Sequence, residues 1–292
     1  MDMMLRSIRQ FRVSILILLT LVSCITVVAC ASSPSSTDTA DSLPAEIVVA
    51  TENDYPPFDF LKDGKHTGYN QALLDLVAED IPFAIKQEIL PFQGILTGLS
   101  SGRYDVSNSA VAILEDRLDT VTFTTPITEF TNYFVKRKGD TSVNAAEDFS
   151  GKSIGVQQGA ITFQVVNEEL NPTLEAAGKE VAKPIEYEAF GDAYQDLENG
   201  RVDAVVNNVV ALSQLVKEKP DVFELGGQVG EKLYAGWVVK KGNQAVWEPL
   251  NAALLKLKES GKMAELQQEW LNISFDLPAE PRLPGDKAIP AS

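Results

Sequence analysis

The residues best suited to chemistry in this chain surround one arginine. The stretch from Tyr104 to Arg117 is YDVSNSAVAILEDR. Tyr104 to Asn108 predicts a short strand that runs into a loop of small residues, Ser109 to Ala112, before a turn that carries Arg117. A strand that ends this way leaves backbone N–H groups at the edge of a sheet, and the guanidinium adds a fixed cation beside them. We therefore predict a carboxylate-binding site here.

The scarcity of other reactive residue types excludes whole classes of site. His66 is the only histidine, and its place after the turn at Asp63-Gly64-Lys65 predicts a solvated turn residue. The two cysteines, Cys24 and Cys30, both precede the expected folded part. A serine–histidine triad, thiol catalysis, a disulfide framework and a zinc site are therefore excluded. We expect no catalytic residue, no metal and no cofactor.

Charge and composition restrict the partners. The chain has 292 residues, 45% of them apolar, which is enough to bury a core in one large domain or two small ones. Its formal net charge of −16 argues against nucleic acid and against an anionic membrane surface. We expect a small molecule as the ligand.

The elements that must position Arg117 alternate between strand and helix. Short apolar runs at 46–50 and 84–90 predict strands, and the apolar spacing of 70–80 and 92–101 predicts helices, the second ending at Gly102. With the strand at Tyr104, this order indicates a parallel sheet with crossover helices.

A second unit repeats this order. Strands are predicted at 153–157 and 185–189, and the segment NGRVDAVVNN at 199–208 parallels SGRYDVSNSA at 101–110. Both segments have a helix end, Gly-Arg-x-Asp, an apolar strand and then small or polar residues. The match is short, but its equivalent position predicts two α/β lobes of similar architecture.

Two β-rich segments, Asn132 to Lys138 and Tyr234 to Lys241, are predicted to cross between the lobes, and two amphipathic helices follow the second. The Pro-rich tail is expected to be loose or disordered. The predicted boundaries are a first lobe of 45–136 plus 236–275, a second lobe of 137–235 and a tail of 276–292.

The first 29 residues predict an export signal, with a basic start and an apolar run from Val13 to Ala29. Val27-Val28-Ala29-Cys30 resembles a bacterial lipobox, so we expect Cys30 to be acylated and to anchor the protein in the membrane. Cys24 fits the same pattern, but cutting there would leave an apolar terminus. Residues 30–44 form the expected tether. The alternative is an uncleaved signal anchor.

Several motifs, in order, resemble one family. They are YPPF at 55–58, TGYNQAL at 67–73, FQGILTGLSSGRYD at 92–105, EDR at 115–117, GKSIGVQQG at 151–159, NGRVDAVV at 199–206 and WVVKKGN at 237–243. The chain is similar here to the extracytoplasmic solute-binding proteins of ABC importers, in the branch for polar amino acids. The resemblance implies an α/β fold like that of periplasmic binding proteins, with two lobes joined by crossing strands. It also implies a monomer that closes on a ligand in the cleft, and whose closed form the importer's membrane subunits recognise.

The resemblance also implies roles for particular residues. Arg117 corresponds to the arginine that binds the ligand carboxylate, Tyr55 and Phe92 to rings that sandwich the ligand, and Glu52 to an acid that meets a ligand amine. The alternatives are an Arg117 paired with Glu115 or Asp116, rings that only pack in the core, and a solvated carboxylate at Glu52.

The chain departs from the family pattern at three places. Ala110 and Ala112 replace small or hydroxyl residues that face the ligand, so only their backbone N–H groups remain. Gly159-Ala160-Ile161-Thr162 replaces a Gly-Thr-Thr or Gly-Thr-Ser run. Asn208, or Asn207 if the register differs by one, stands where an aspartate normally pairs with the ligand ammonium.

These departures indicate a zwitterionic or carboxylated solute. Candidates are an N-substituted amino acid, a cyclic compatible solute, an opine, a standard amino acid in altered geometry, or a ligand whose amine meets Glu52. The predicted function is capture of this solute for an ABC importer. Two alternatives stay open: an arogenate or prephenate dehydratase on the same fold, with Glu52 moving a ligand proton, and a ligand-sensing receptor module.

Overall fold

The computed structural model describes residues 43–290. The predicted export signal, Cys24, Cys30 and nearly all of the predicted tether lie outside these residues. Within the described residues, the helices are all too short or too polar to cross a membrane.

The strands of the described residues are numbered in chain order. They are β1 (Glu46–Glu52), β2 (Phe60–Lys62), β3 (Lys65–Thr67), β4 (Ala84–Leu90), β5 (Val106–Ala112), β6 (Val121–Glu129), β7 (Asn132–Arg137), β8 (Ser153–Gln157), β9 (Lys183–Tyr187), β10 (Ala204–Asn208), β11 (Phe223–Gln228), β12 (Tyr234–Lys240), β13 (Arg282–Leu283) and β14 (Lys287–Ala288).

The α-helices are numbered in the same way. They are α1 (Tyr69–Ala78), α2 (Phe92–Ser101), α3 (Ile161–Gln164), α4 (Asn171–Ala176), α5 (Phe190–Glu198), α6 (Val209–Glu218), α7 (Gln244–Glu259) and α8 (Lys262–Leu271). A π-helical segment, Val165–Leu170, joins α3 to α4.

Two five-stranded sheets confirm the predicted pair of α/β lobes. Their strand orders are β4-β1-β5-β12-β6 and β11-β7-β10-β8-β9. In the first sheet β1 pairs in parallel with β4 and β5, and β12 is antiparallel to β5 and β6. In the second, β8 pairs in parallel with β9 and β10, and β7 is antiparallel to β10 and β11. Each lobe is thus a parallel sheet with one antiparallel strand inserted beside it.

The chain crosses between lobes earlier than the sequence indicates. β7 is a strand of the second sheet and β12 a strand of the first, so the predicted boundaries at 136 and 235 fall in or beside paired strands. The first crossing is residues 130–131 and the return crossing is residues 229–233. A continuous β-rich run marks a strand, but its sheet depends on distant pairing partners that local sequence does not reveal.

Backbone hydrogen bonds join the two crossings. The N–H of Phe130 donates to the carbonyl of Leu233 at 2.7 Å, and the N–H of Val229 donates to the carbonyl of Asn132 at 2.9 Å. The crossings are therefore linked into a narrow ribbon between the lobes.

The small residues before Arg117 belong to a strand and not to a loop. β5 continues through Ala112, and all its residues are buried. Ala235 and Gly236 of β12 pair with Ala112 and Val111 and so extend the strand. The predicted loop was wrong because this partner strand comes from more than a hundred residues later in the chain.

The C-terminal tail is ordered up to residue 290. β13 and β14 form a small antiparallel hairpin, and the N–H of Gly285 donates to the carbonyl of Lys232 in the return crossing at 2.9 Å. Lys287 lies 3.2 Å from the Glu231 carboxylate, and Leu283 is buried. The loose tail predicted from its prolines is therefore wrong over this range.

Helix α2, which begins with the cleft residue Phe92, packs closely on the segment just before β5. Gly98 lies against the ring of Tyr104, and a Cβ there would overlap that ring. Gly98→Ala should therefore lower the free energy of unfolding by about 1–3 kcal/mol, measured by urea denaturation. Gly94→Ala is the matched control, because the nearest atom is the end of the flexible Leu90 side chain. Equal stabilities for the two variants would contradict this packing.

Candidate ligand-binding cleft

A small cavity lies between the lobes. It is lined by Glu52, Tyr55, Phe92, Ala110, Ala112, Arg117, Phe130, Asn132, Gln157, Ala160, Ile161, Thr162, Phe190 and Asn207. Its volume of about 20 Å³ is close to the space of one water molecule, so the lobes are closed on each other. The lining thus contains every predicted site residue except Gly159 and Asn208.

Arg117 lies in a short 3₁₀ turn after β5 and is only 9% exposed. Its guanidinium donates to the carbonyl of Ala112 at 3.1 Å in the first lobe and to that of Gly159 at 3.2 Å in the second. Within residues 43–290 the ion pairs do not include Arg117, so neither Glu115 nor Asp116 forms a salt bridge with it. Burial lowers the pKa of this guanidinium to about 10, although the charge of Asp116 raises it, so the group stays charged at neutral pH.

Glu52 ends β1 and is 2% exposed, so it is not a solvated loop carboxylate. Gln157 donates to its carboxyl from the second lobe at 2.6 Å. Burial raises the pKa of Glu52 to about 8, against the hydrogen bond from Gln157, and the charge of Asp54 raises it further. With a pKa of about 8, the Glu52 carboxyl is mostly protonated at neutral pH.

His66 contacts the backbone of Glu52 and is not a solvated turn residue. It is partly buried on β3, with Nε2 at 3.0 Å from the carbonyl oxygen of Glu52 and Nδ1 at 3.2 Å from the side-chain oxygen of Gln71. The turn prediction was wrong because β2 and β3 form a hairpin that packs beside the end of β1.

Aromatic rings bridge the two lobes. The ring of Tyr55 stacks on that of Phe190 at 5.6 Å and packs edge-on against Phe130 at 6.3 Å. Phe92 is buried and faces the same cavity. Phe190 and Phe130 were not predicted. Phe190 lies just after the carboxyl end of the parallel strand β9, as Arg117 lies just after that of β5. The expectation that site residues follow the carboxyl ends of parallel strands could therefore have identified it.

The neighbouring residues Asn207 and Asn208 of the second lobe have different partners. Asn208 accepts the N–H of Ala211 at 3.0 Å and so caps α6, and its side-chain nitrogen donates to the Tyr55 hydroxyl. Asn207 lines the cavity, accepts from the Tyr55 hydroxyl at 2.8 Å and donates to that of Tyr194 at 2.8 Å. The oxygen of Asn208 is therefore used by the helix, and Asn207 is the one that faces the cleft.

The segment before α3 closes the cavity from the second lobe. Gly159 adopts a φ of 75°, a conformation that favours glycine, and turns its carbonyl toward Arg117. Ala160, Ile161 and Thr162 follow and line the cavity. Among the described residues the Thr162 hydroxyl has no hydrogen-bond partner, although the residue is buried. Ala112 has no side-chain hydroxyl to offer the cavity, but Thr162 offers one from the second lobe.

Replacing Glu52 with Gln should change how the stability of the ligand-free protein depends on pH. The folded carboxyl has a pKa of about 8 against an ordinary value of 4.5, so it binds a proton more tightly when folded. Its stabilising contribution is present below pH 4.5 and is lost as the pH rises through about 8. Between about pH 5 and 8.5 the free energy of unfolding of the wild type should fall, relative to Glu52→Gln, by on the order of a few kcal/mol in urea titrations.

Glu88→Gln is the control for this comparison. Glu88 is about one-third exposed (31%), and its hydrogen bond and charge interaction with Lys86, with Arg103 nearby, lower its pKa. Between about pH 5 and 8.5 the free energy of unfolding of the wild type should not fall relative to that of Glu88→Gln. Parallel pH curves for wild type and Glu52→Gln would contradict a protonated, buried carboxyl.

Comparison with known proteins agrees with the geometry. Residues 47–273 match the family described as bacterial extracellular solute-binding proteins, family 3. The L-cystine-binding protein TcyJ of Escherichia coli K12 is 27% identical over 226 residues, which cover 77% of this chain and 82% of that protein. An ancestral arginine-binding protein with bound arginine is 30% identical, with a TM-score of 0.69, over 78% of this chain and 99% of its own. An ancestral arginine-binding protein with bound glutamine is 31% identical, with a TM-score of 0.68, over 78% of this chain and 98% of its own. The chain belongs to the bacterial extracellular solute-binding proteins, family 3.

Proposed function

We propose that this protein captures an amino acid, or an amino-acid derivative with a carboxylate, and delivers it to the membrane subunits of an ABC importer. The observation that carries the proposal is the buried Arg117, which donates to one carbonyl from each lobe and has no carboxylate partner among residues 43–290. A buried guanidinium without a carboxylate is stabilised when an anion joins it. The ligand carboxylate supplies that anion and links the lobes.

The opposite charge of the ligand is met by Glu52. A ligand ammonium beside this carboxyl favours its ionised form, because an opposite charge lowers the pKa of an acid. Asn207 and Asn208 are neutral, so in the cavity lining Glu52 replaces the aspartate charge that the second lobe lacks. The relatives named above bind cystine, arginine or glutamine, all of which carry both an α-carboxylate and an α-ammonium.

Binding without chemical conversion is part of the proposal. The relatives named above are binding proteins, and Glu52 is already occupied by Gln157 in the closed cleft. We propose that the protein acts as a monomer and that the closed lobes form the surface that the importer recognises. The energy of closure comes only from contacts that the ligand makes in the closed state.

Arg117→Ala should weaken binding of the best amino-acid ligand by about 10- to 100-fold, since a charge-assisted hydrogen-bonded pair contributes about 1.5–3 kcal/mol. A thermal-shift screen of purified protein against amino acids, betaines, ectoines and opines identifies the ligand. Titration calorimetry then gives the affinity, and mass spectrometry should recover the solute unchanged. A ligand at 100 times its dissociation constant adds about 2.7 kcal/mol of stability to the wild type.

Arg103→Ala is the matched control, because Arg103 is exposed and pairs only loosely with Glu88. It should bind as the wild type does. Wild-type affinity in Arg117→Ala would contradict the proposed site.

The membrane anchor is proposed from the sequence alone, since Cys30 lies outside the described residues. Cys30→Ser should move the protein from the membrane fraction to the soluble fraction of the host cell and remove a lipid-sized mass from its N-terminal peptide. Cys24→Ser is the control and should stay with the membrane. The reverse result would assign the lipid to Cys24.

A further inference from the structure

Asn132 is a buried residue whose side-chain amide makes no hydrogen bond within the described residues. It is 1% exposed, lines the cleft cavity, and neither its side-chain nitrogen nor its side-chain oxygen has a hydrogen-bond partner in residues 43–290. Its backbone is held firmly, because it pairs with Asn208 in the sheet and accepts the N–H of Val229. Buried polar atoms are nearly always paired, so a donor and an acceptor left unpaired together call for an explanation.

An amide with both atoms free is complemented by a group that also presents a donor and an acceptor. Another amide does this with two parallel hydrogen bonds, whereas an ammonium only donates and a carboxylate only accepts. On the other wall, the unpaired hydroxyl of Thr162 can donate or accept in the same cavity. The polar atoms that remain free in the lining therefore fit a neutral, two-way hydrogen-bonding group.

The charges of the cavity lining lead to the same class of ligand. Among its residues Arg117 is the cation and Glu52 the carboxyl, and the other polar groups are amides and hydroxyls. A simple zwitterion pairs its carboxylate with Arg117 and its ammonium with Glu52. A further charge on the ligand side chain would be buried between the lobes without a counter-charge, which is strongly unfavourable.

We propose that Asn132 recognises an uncharged amide in the side chain of the solute, so that the preferred cargo is a zwitterion with an amide side chain, of which L-glutamine is the simplest probe. This inference rests on the proposed function and specifies its ligand class. Asn132 acts as a specificity-determining residue, since the α-carboxylate and α-ammonium are bound elsewhere.

The test compares L-glutamine with L-norvaline, which has the same α-groups and no amide, by titration calorimetry on purified protein. The wild type should bind L-glutamine at least about 10-fold more tightly than L-norvaline, and more tightly than L-arginine or L-glutamate. Asn132→Leu should reduce this preference for L-glutamine over L-norvaline to less than about 3-fold. The same variant should raise the melting temperature of the ligand-free protein, because it removes two unpaired buried polar atoms at nearly constant volume.

Asn108→Ala is the matched control. Asn108 is buried in β5 and also has an unpaired side-chain nitrogen, but it is not part of the cavity lining. Its substitution should leave the preference for L-glutamine unchanged. An Asn132→Leu protein that keeps the full preference, or a wild type that prefers L-arginine, would overturn the inference while leaving Arg117-dependent binding intact. Loss of all Arg117-dependent binding of amino acids would instead overturn the proposed function.

Discussion

The closed arrangement depends on a cation that is buried between two lobes. Arg117 is held by Ala112 at the end of β5 and by Gly159 before α3, so its charge is delivered to the place where the lobes meet. Burying a charge is expensive, and carbonyl dipoles compensate for only part of that cost. The surrounding features can be understood as responses to this constraint: aromatic walls, a carboxyl in the lining whose pKa is raised, and glycine where a carbonyl must turn inward.

The two ionisable groups of the cleft respond to burial in opposite senses. For Arg117 the lowered pKa still leaves the group charged, whereas for Glu52 the raised pKa makes the group largely neutral near pH 7. In the ligand-free cleft Arg117 is thus charged while Glu52 is largely protonated. Under the proposed function, an ammonium placed beside Glu52 would favour its ionised form, so that binding would be linked to proton release.

The sequence predicted those parts of the molecule that depend on local pattern. The end of β5 pointed to Arg117 because strand ends and fixed cations are local features, and the repeated Gly-Arg-x-Asp segment indicated two similar lobes. What it could not predict depended on distant partners. The sheet membership of β7 and β12 is decided by pairing, and whether Asn207 or Asn208 faces the cleft is decided by the start of α6. Asn132 was missed because an asparagine at the start of a strand carries no local signal of being unpaired.

The C-terminal hairpin places the end of the fold at the pivot of the molecule. Gly285 and Lys287 contact residues 232 and 231 of the return crossing, while the hairpin also lies beside Trp247 and Asn251 of α7. The hairpin therefore reaches from the return crossing to α7, at the place about which one lobe would rotate against the other. The hairpin is thus a natural position for a spectroscopic label beside the hinge, because its residues are not part of the cavity lining.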